Sequence, residues 1–280
     1  MADDYRDSTV LVTGASSGIG AALADAFAAR GARLVLAAQA ETRLRSVAEG
    51  LRERHGADVL VVPVDLANED GPDRLAARVR EAGLAVDVLV NNAGFGTHGR
   101  FHELSADTDH REVMVNVAAV ERMTHLFLPE MVRAGRGTLI NISSTSAFQA
   151  VPYMAVYGAS KAFVLSFSLA LWGEYRKQGI KVLAVCPGPT DTPFFDTLGV
   201  RLKAGGRLRT TDEVVAATFR ALQRGRPFVV DGQLNQLLVA ATRFLSRPML
   251  ARITERVLRR PPRLPTPPAT PEAPDRPAAA

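Results

Sequence analysis

The sequence predicts an α/β fold, a doubly wound parallel sheet of seven strands with a C-terminal helical extension. Three observations predict it. Short apolar runs alternate with longer segments of helical periodicity. Those runs are apolar at nearly every position rather than at every second one, as strands covered on both faces require. Glycines cluster directly after the first run, where a strand would turn into a helix.

Taken in order, Thr9–Val12 reads as the first strand, followed by a glycine-rich turn and an alanine-rich helix over Ile19–Arg30 that Gly31 ends. Arg33–Ala37 is the second strand and Glu41–His55 the next helix. Val59–Val64, a helix around Pro72–Ala82, and Val86–Val90 follow. A long helix spans Thr108–Ala134, then come a strand at Gly137–Ile142, a helix at Val156–Gln178, a strand at Lys181–Val185 and a short seventh strand at Phe228–Val230. Strands joined in this way by helices form a parallel sheet with helices on both faces, and its ligands sit beyond the carboxyl ends of the strands. From Gln233 the residues Leu234, Leu237, Leu238, Ala241, Phe244 and Leu245 fall on one helical stripe. Met249, Leu250, Ile253, Val257 and Leu258 continue it after Pro248. The expected organisation is a main domain over 1–232, an amphipathic helical extension over 233–260 and a disordered Pro/Ala-rich tail over 261–280.

Composition bounds the function. Hydrophobic residues at 47% and charged residues at 22% suit one large globular domain in 280 residues. The net charge of +5 invites a nucleic-acid reading, but the excess is local: seven arginines lie between Arg243 and Arg263 against the single acid Glu255. Nucleic acid is therefore not an expected partner. The one cysteine, Cys186, allows no internal disulfide, and the polar, acidic start MADDYRDS lacks a secretory pattern, so a reducing cytoplasmic setting is expected. No run of 18 apolar residues appears, so no membrane span is expected. The basic extension could still lie on an anionic membrane surface, giving peripheral contact through 233–260; it could equally be a lid, a dimer contact or ordinary packing on the main domain.

The informative residues follow the strands. After the first comes Thr13-Gly14-Ala15-Ser16-Ser17-Gly18-Ile19-Gly20. Gly14 permits the tight turn, Gly18 lets the backbone approach a pyrophosphate, and Gly20 lets the helix pack closely, leaving the first helical amides free for phosphate. Asn91-Asn92-Ala93-Gly94 follows the fourth strand, and Pro187-Gly188-Pro189-Thr190-Asp191-Thr192 the sixth. Tyr157 and Lys161 stand four apart in Tyr157-Gly158-Ala159-Ser160-Lys161, on one face of a helix. A tyrosine near pKa ~10 is a poor acid/base at neutral pH. A neighbouring ammonium would favour its phenolate, so the pair makes sense as a general acid/base.

In spacing and order these four motifs, with a Rossmann-type turn of the form T-G-x-x-x-G-x-G, resemble the short-chain dehydrogenase/reductase family over about residues 8–231. The resemblance implies an NAD(P)-dependent enzyme that interconverts a carbonyl and a secondary alcohol. It implies catalytic roles for Asn116, Ser144, Tyr157 and Lys161. Ser144 would hydrogen-bond the substrate carbonyl, with the adjacent Ser143 as rival. Asn116 would help hold a water in a proton relay, and Lys161 would also hold the nicotinamide ribose. For the cofactor it implies Gly14, Ser16, Ser17, Gly18, Ile19 and Gly20 at the phosphates, Asp65 and Leu66 near the adenine, Asn91, Ala93 and Gly94 along the cleft, and Pro187, Gly188, Thr190 and Thr192 towards the nicotinamide. A homodimer or homotetramer through the two long helices is the family's habit. A catalytically silent sensor or scaffold on the same fold is the competing class.

The end of the second strand decides between cofactors. NAD-binding sites place an acid there for the ribose hydroxyls. Here Ala38 is followed by Gln39, with Arg43 near, so NADP(H) is favoured over NAD(H). Many NADP-binding relatives carry arginine where Gln39 stands. Phe148–Met154 and the segment after Thr192, with Phe194, Phe195 and Leu198, are expected to border a lipophilic ketone or acyl substrate. No metal is expected, since His55, His98, His102, His110 and His125 show no ligand spacing.

Overall fold

In the computed structural model, which describes residues 5–198 and 207–259, seven parallel strands lie in the order β3-β2-β1-β4-β5-β6-β7. They are β1 Thr9–Thr13, β2 Arg33–Ala38, β3 Val59–Pro63, β4 Val88–Asn91, β5 Gly137–Ile142, β6 Ile180–Cys186 and β7 Phe228–Val230. The order runs outward from β1 in both directions, so the sheet is doubly wound and its switch point falls between β1 and β4. There the connections leave on opposite faces and open a crevice at the carboxyl ends. The helices are α1 Gly18–Ala28, α2 Glu41–His55, α3 Gly71–Glu81, α4 Ala106–Val113, α5 Ala119–Ala134, α6 Ala155–Tyr175, α7 Phe194–Leu198, α8 Thr211–Gln223, α9 Gln233–Ala241 and α10 Arg247–Leu258.

The strand pleat explains the unbroken apolar runs. Val10 and Val12 enter one core layer with Leu23 and Phe27 of α1 and Phe219 of α8, while Leu11 between them enters the other with Leu75, Met123 and Phe127. Leu34 and Leu36 divide from Val35 in the same way, as do Ile140 and Ile142 from Leu139. Successive side chains point to opposite faces, and here both faces are dry. Tyr5, Phe27 and Phe219 meet edge-on and tilted at the centre of the first layer, with Phe27 centroids 5.0 Å from each neighbour.

The long helix expected over 108–134 is interrupted. A π-helical segment, Met114–Ala118, separates α4 from α5. Such a bulge rotates the side chains around it, and this one turns Asn116 fully inward. Between residues 155 and 178 the helix is long and apolar enough to cross a membrane by length and composition, although it holds no unbroken run of 18 apolar residues. In the fold, Val164, Leu165, Ser168 and Leu171 of this helix are buried, and it packs along β5 and β6.

The extension forms α9 and α10, which fold back over the carboxyl end of the sheet. Gly188 makes the close approach possible: a Cβ there would lie 2.1 Å from Nδ2 of Asn235. Leu258 joins Val151, Met154, Tyr157 and Leu198 in a small apolar cluster. The Pro/Ala-rich tail expected over 261–280 lies outside the described residues.

Candidate active site

At the end of β1 the chain reverses at Gly14, φ 65°, where a Cβ would sit 2.8 Å from the Ala93 Cα. Any side chain would force β1 and the β4 loop apart. The Thr13 hydroxyl donates to the Val90 carbonyl (3.2 Å) and accepts from the amides of Asn92 (3.0 Å) and Ala93 (3.1 Å), which locks the two turns together. The Asn92 amide nitrogen donates to the carbonyls of Thr13 (2.9 Å) and Gly14 (3.1 Å). Ser17 caps α1 without a side-chain hydrogen bond, so the first helical amides stay available to an anion.

A single cavity of about 700 Å³ runs from this turn across the crevice. Of the sequence-predicted residues, Gly14, Ser16, Ser17, Gly18 and Ile19 line the end beside the glycine turn, and Gln39, Arg43, Asp65 and Leu66 the end of β2 and β3. Ala93, Gly94, Ser144, Tyr157 and Lys161 form its middle, with Pro187, Gly188, Thr190 and Thr192 opposite. The cradle fits a dinucleotide: a glycine turn with free helical amides at one end, and an ammonium with two hydroxyls at the other.

Three expected residues stand off the cavity wall. Gly20 packs behind the turn, where a Cβ would be 2.5 Å from the Gly14 carbonyl oxygen. Asn91 faces into the fold and donates to Asn141 Oδ1 at 2.9 Å; the neighbouring Asn92 lines the cavity instead. One step along a strand reverses the face, so the expectation for Asn91 is corrected to Asn92. Asn116 is completely buried. Its amide donates to the Phe95 carbonyl (2.9 Å) and Ser160 Oγ (3.0 Å), and its oxygen accepts from the Phe95 amide (3.2 Å). It braces the loop beside Gly94, where a Cβ would lie 2.9 Å from Asn116 Oδ1 and 3.2 Å from Lys161 Nζ.

The adjacent serines both line the cavity but differ in their bonding. Ser143 donates to the Lys161 carbonyl at 2.7 Å and is spent on holding α6 to β5. Ser144 lies in the cavity, accepts from the Ser146 amide at 3.1 Å and sits against the Tyr157 phenol. Lys161 donates to the Ile142 carbonyl at 3.0 Å, and its Nζ lies 5.7 Å from the Tyr157 ring centroid. Burial pushes Tyr157 up to about 12, opposed by the Ser144 hydrogen bond and assisted by the charge of Glu112. Burial pushes Lys161 down to about 8, opposed by Glu112 and Cys186. In the protein alone burial sets the direction for the phenol, whereas the lowering expected from the sequence counts the charge of an oxidised nicotinamide together with that of the lysine. Desolvation of the phenolate outweighs the hydrogen bond from Ser144.

Sequence reasoning missed Glu112. It is fully buried one helical turn before Asn116, and its Oε2 accepts from the amide and hydroxyl of Thr97, both at 3.1 Å. Its Oε1 has no hydrogen-bond partner among the described residues. It also missed Asp231, whose carboxylate takes the Gly188 amide at 2.9 Å and Arg209 Nε at 2.9 Å, fixing the turn after β6. Nothing local in either stretch marks them; each is assembled by distant elements.

The apolar end of the cavity is walled by Val151, Met154, Phe194 and Phe195 on one side and by Leu238, Leu245, Ile253 and Val257 on the other. The expectation for Phe148 is corrected, since it turns away to pack on Phe228 at 6.0 Å. Leu198 lies just behind, clustered with Tyr157 and Phe194.

A glycine turn opening onto a cleft with a serine, tyrosine and lysine at its centre is the arrangement of a doubly wound oxidoreductase. The pattern of the short chain dehydrogenase family matches residues 8–201, and the chain belongs to the short-chain dehydrogenase/reductase family, oxidoreductases acting on CH–OH and C=O groups. It is similar to the bovine very-long-chain 3-oxoacyl-CoA reductase, 36% identical over 63% of this chain and 57% of that one, so it spans little more than half of that relative. Among solved structures it resembles a short-chain dehydrogenase from Sphingobium yanoikuyae in complex with NADPH, with TM-score 0.76, 33% identity, and 85% and 94% of the two chains covered. It also resembles the bulky-bulky ketone specific alcohol dehydrogenase from Comamonas testosteroni, with TM-score 0.73, 32% identity, and 85% and 93% covered.

Proposed function

We propose that this protein is an NADP(H)-dependent reductase of bulky, lipophilic ketones or 3-oxoacyl compounds. The observation that carries the reading is the convergence of Ser144, Tyr157 and Lys161 on one cavity that joins the phosphate cradle to a large apolar chamber. The cofactor, when bound, supplies the hydride. The chain supplies the rest. The hydroxyls of Ser144 and Tyr157 orient the substrate carbonyl and stabilise the negative charge that develops on its oxygen. Tyr157 donates the proton to that oxygen. Lys161, held by the Ile142 carbonyl, places its charge behind the phenol and so favours loss of that proton. Asn116 positions the loop that carries Gly94 against Lys161.

Preference for the phosphorylated cofactor rests on the end of β2. Ala38 offers no carboxylate, and Arg43 lines the cavity with no ion pair among the described residues. Asp65, which lines the same end, is already paired with Arg111. Burial works against its charge, but the hydrogen bond from Arg111 (2.8 Å) and the Ala67 amide (2.9 Å) outweigh that and hold it below the usual carboxylate range. A 2′-phosphate thus meets an unpaired cation and no free anion. The apolar walls support a bulky substrate, as do the names of the bovine and Comamonas relatives.

The test is oxidation of NADPH and NADH against bulky aromatic ketones and 3-oxoacyl thioesters, with Tyr157→Phe alongside. The expected result is NADPH-dependent turnover that falls by about 10²–10⁴-fold in the variant with cofactor affinity retained. Tight NADPH binding without turnover across the panel would favour a sensor or scaffold.

A further inference from the structure

Seven of the large apolar side chains most exposed among the described residues lie within α9, α10 and their connection: Leu234, Leu237, Leu238, Phe244, Met249, Ile253 and Val257. Phe244 is 87% exposed at the turn between the two helices, where a lone soluble protein gains nothing by displaying it. The inward face of α10 is ordinary, with Leu250, Thr254 and Leu258 buried and the Leu258 carbonyl 3.3 Å from His98 Nε2. The outward face is not. Arg243, Arg247, Arg252, Arg256 and Arg259 are exposed there, and none forms an ion pair among the described residues. Arginines stand beside the apolar residues along α10, as where aliphatic stems lie among acyl chains and guanidinium groups rise to the headgroups.

The same face meets the cavity. Leu238, Ile253 and Val257 are each both exposed and part of the cavity wall, so the apolar surface runs without a polar break into the apolar chamber. A second copy is a poor occupant. A two-fold interface would set this patch against itself, arginine against arginine. A nucleic acid would leave the apolar side chains unsatisfied. An anionic bilayer matches both halves of the surface.

We propose that α9 and α10 dock on an anionic lipid bilayer and that the mouth of the cavity opens into that interface, so that a lipophilic substrate enters from the membrane rather than from water. The substrate half of this inference rests on the reductase reading above; the docking half does not.

The test is flotation of the full chain with vesicles of phosphatidylcholine alone and of a phosphatidylcholine–phosphatidylserine mixture, run beside turnover of a water-soluble ketone without lipid. The wild-type chain floats with the mixed vesicles, less so as salt rises, and stays down with phosphatidylcholine alone. Phe244→Ser and Arg252→Glu/Arg256→Glu lower the bound fraction, the latter by about fivefold or more per arginine, while lipid-free turnover is unchanged. Those side chains lie outside the cavity wall and are exposed, so the fold survives their loss. No flotation with the mixed vesicles, flotation indifferent to the variants, or self-association through the patch overturns the docking and leaves the reductase reading intact. Flotation without any turnover keeps the docking and sinks that reading. For the entry route, mixed vesicles should raise turnover of a membrane-partitioned long-chain ketone in the wild-type chain and not in the Phe244 variant; equal rates overturn it.

Discussion

Glu112 offers the sharpest test of the electrostatics beneath this site. One Thr97 hydroxyl faces two carboxyl groups, Asp109 Oδ1 at 3.0 Å and Glu112 Oε2 at 3.1 Å. It has one proton to give, so when both acids are charged one close oxygen–oxygen contact carries no hydrogen. Burial, reinforced by the charge of Asp109 and opposed by the Thr97 hydrogen bonds and Lys161, pushes Glu112 from the ordinary 4.5 up to about 7. The folded protein therefore keeps this proton at a pH where the unfolded chain has lost it. Stability from this group is fully present below about pH 4.5, falls as pH climbs, and is lost above about pH 7. Holding the charged form in the fold costs about 3 kcal/mol relative to the unfolded chain. Glu112→Gln cannot ionise. The variant should be less pH-sensitive through that window and, above it, more stable than the wild type by up to about 3 kcal/mol, reduced by whatever the amide leaves unpaired. Urea denaturation of the cofactor-free protein at several pH values from about 5 to 8 measures this. Parallel stability curves for the two proteins across that range would refute the argument.

Two further outcomes follow from the cofactor end. Arg43→Ala should raise the KM for NADPH by about tenfold or more, as loss of a charge-assisted contact does, with little change for NADH, and steady-state kinetics with both cofactors reads the difference. Gly20→Ala should weaken both cofactor binding and the fold, since its Cβ would lie 2.4 Å from Asn92 Nδ2 and 2.5 Å from the Gly14 carbonyl oxygen; thermal unfolding with and without NADPH checks both effects.

The glycine turn and the shared face of the tyrosine–lysine pair were legible because what sets them is local. Gly14 and Gly18 announce themselves by a backbone that other residues resist, with φ of 65° and 57°, and residues four apart on a helix share a face whatever surrounds them. The strands were legible because burial on both faces leaves an unbroken apolar run. Which asparagine of the Asn91–Asn92 pair lines the cleft was not. The choice depends on the pleat of β4 against β5, where Asn91 is claimed by Asn141. The direction of the Tyr157 shift was likewise beyond the sequence, because the desolvation that raises it and the Ser144 hydrogen bond that opposes it exist only in the packed site. Glu112 is an unremarkable helical acid until the loop carrying Thr97 folds over it and buries it completely. The C-terminal stripe showed its amphipathic period in the sequence, but not that its outward side continues into the cavity wall. Period and propensity act over a few residues and survive in the one-dimensional pattern. Burial, electrostatic balance and the walls of a cavity come from contacts between segments far apart in the chain, and only the tertiary structure brings those together.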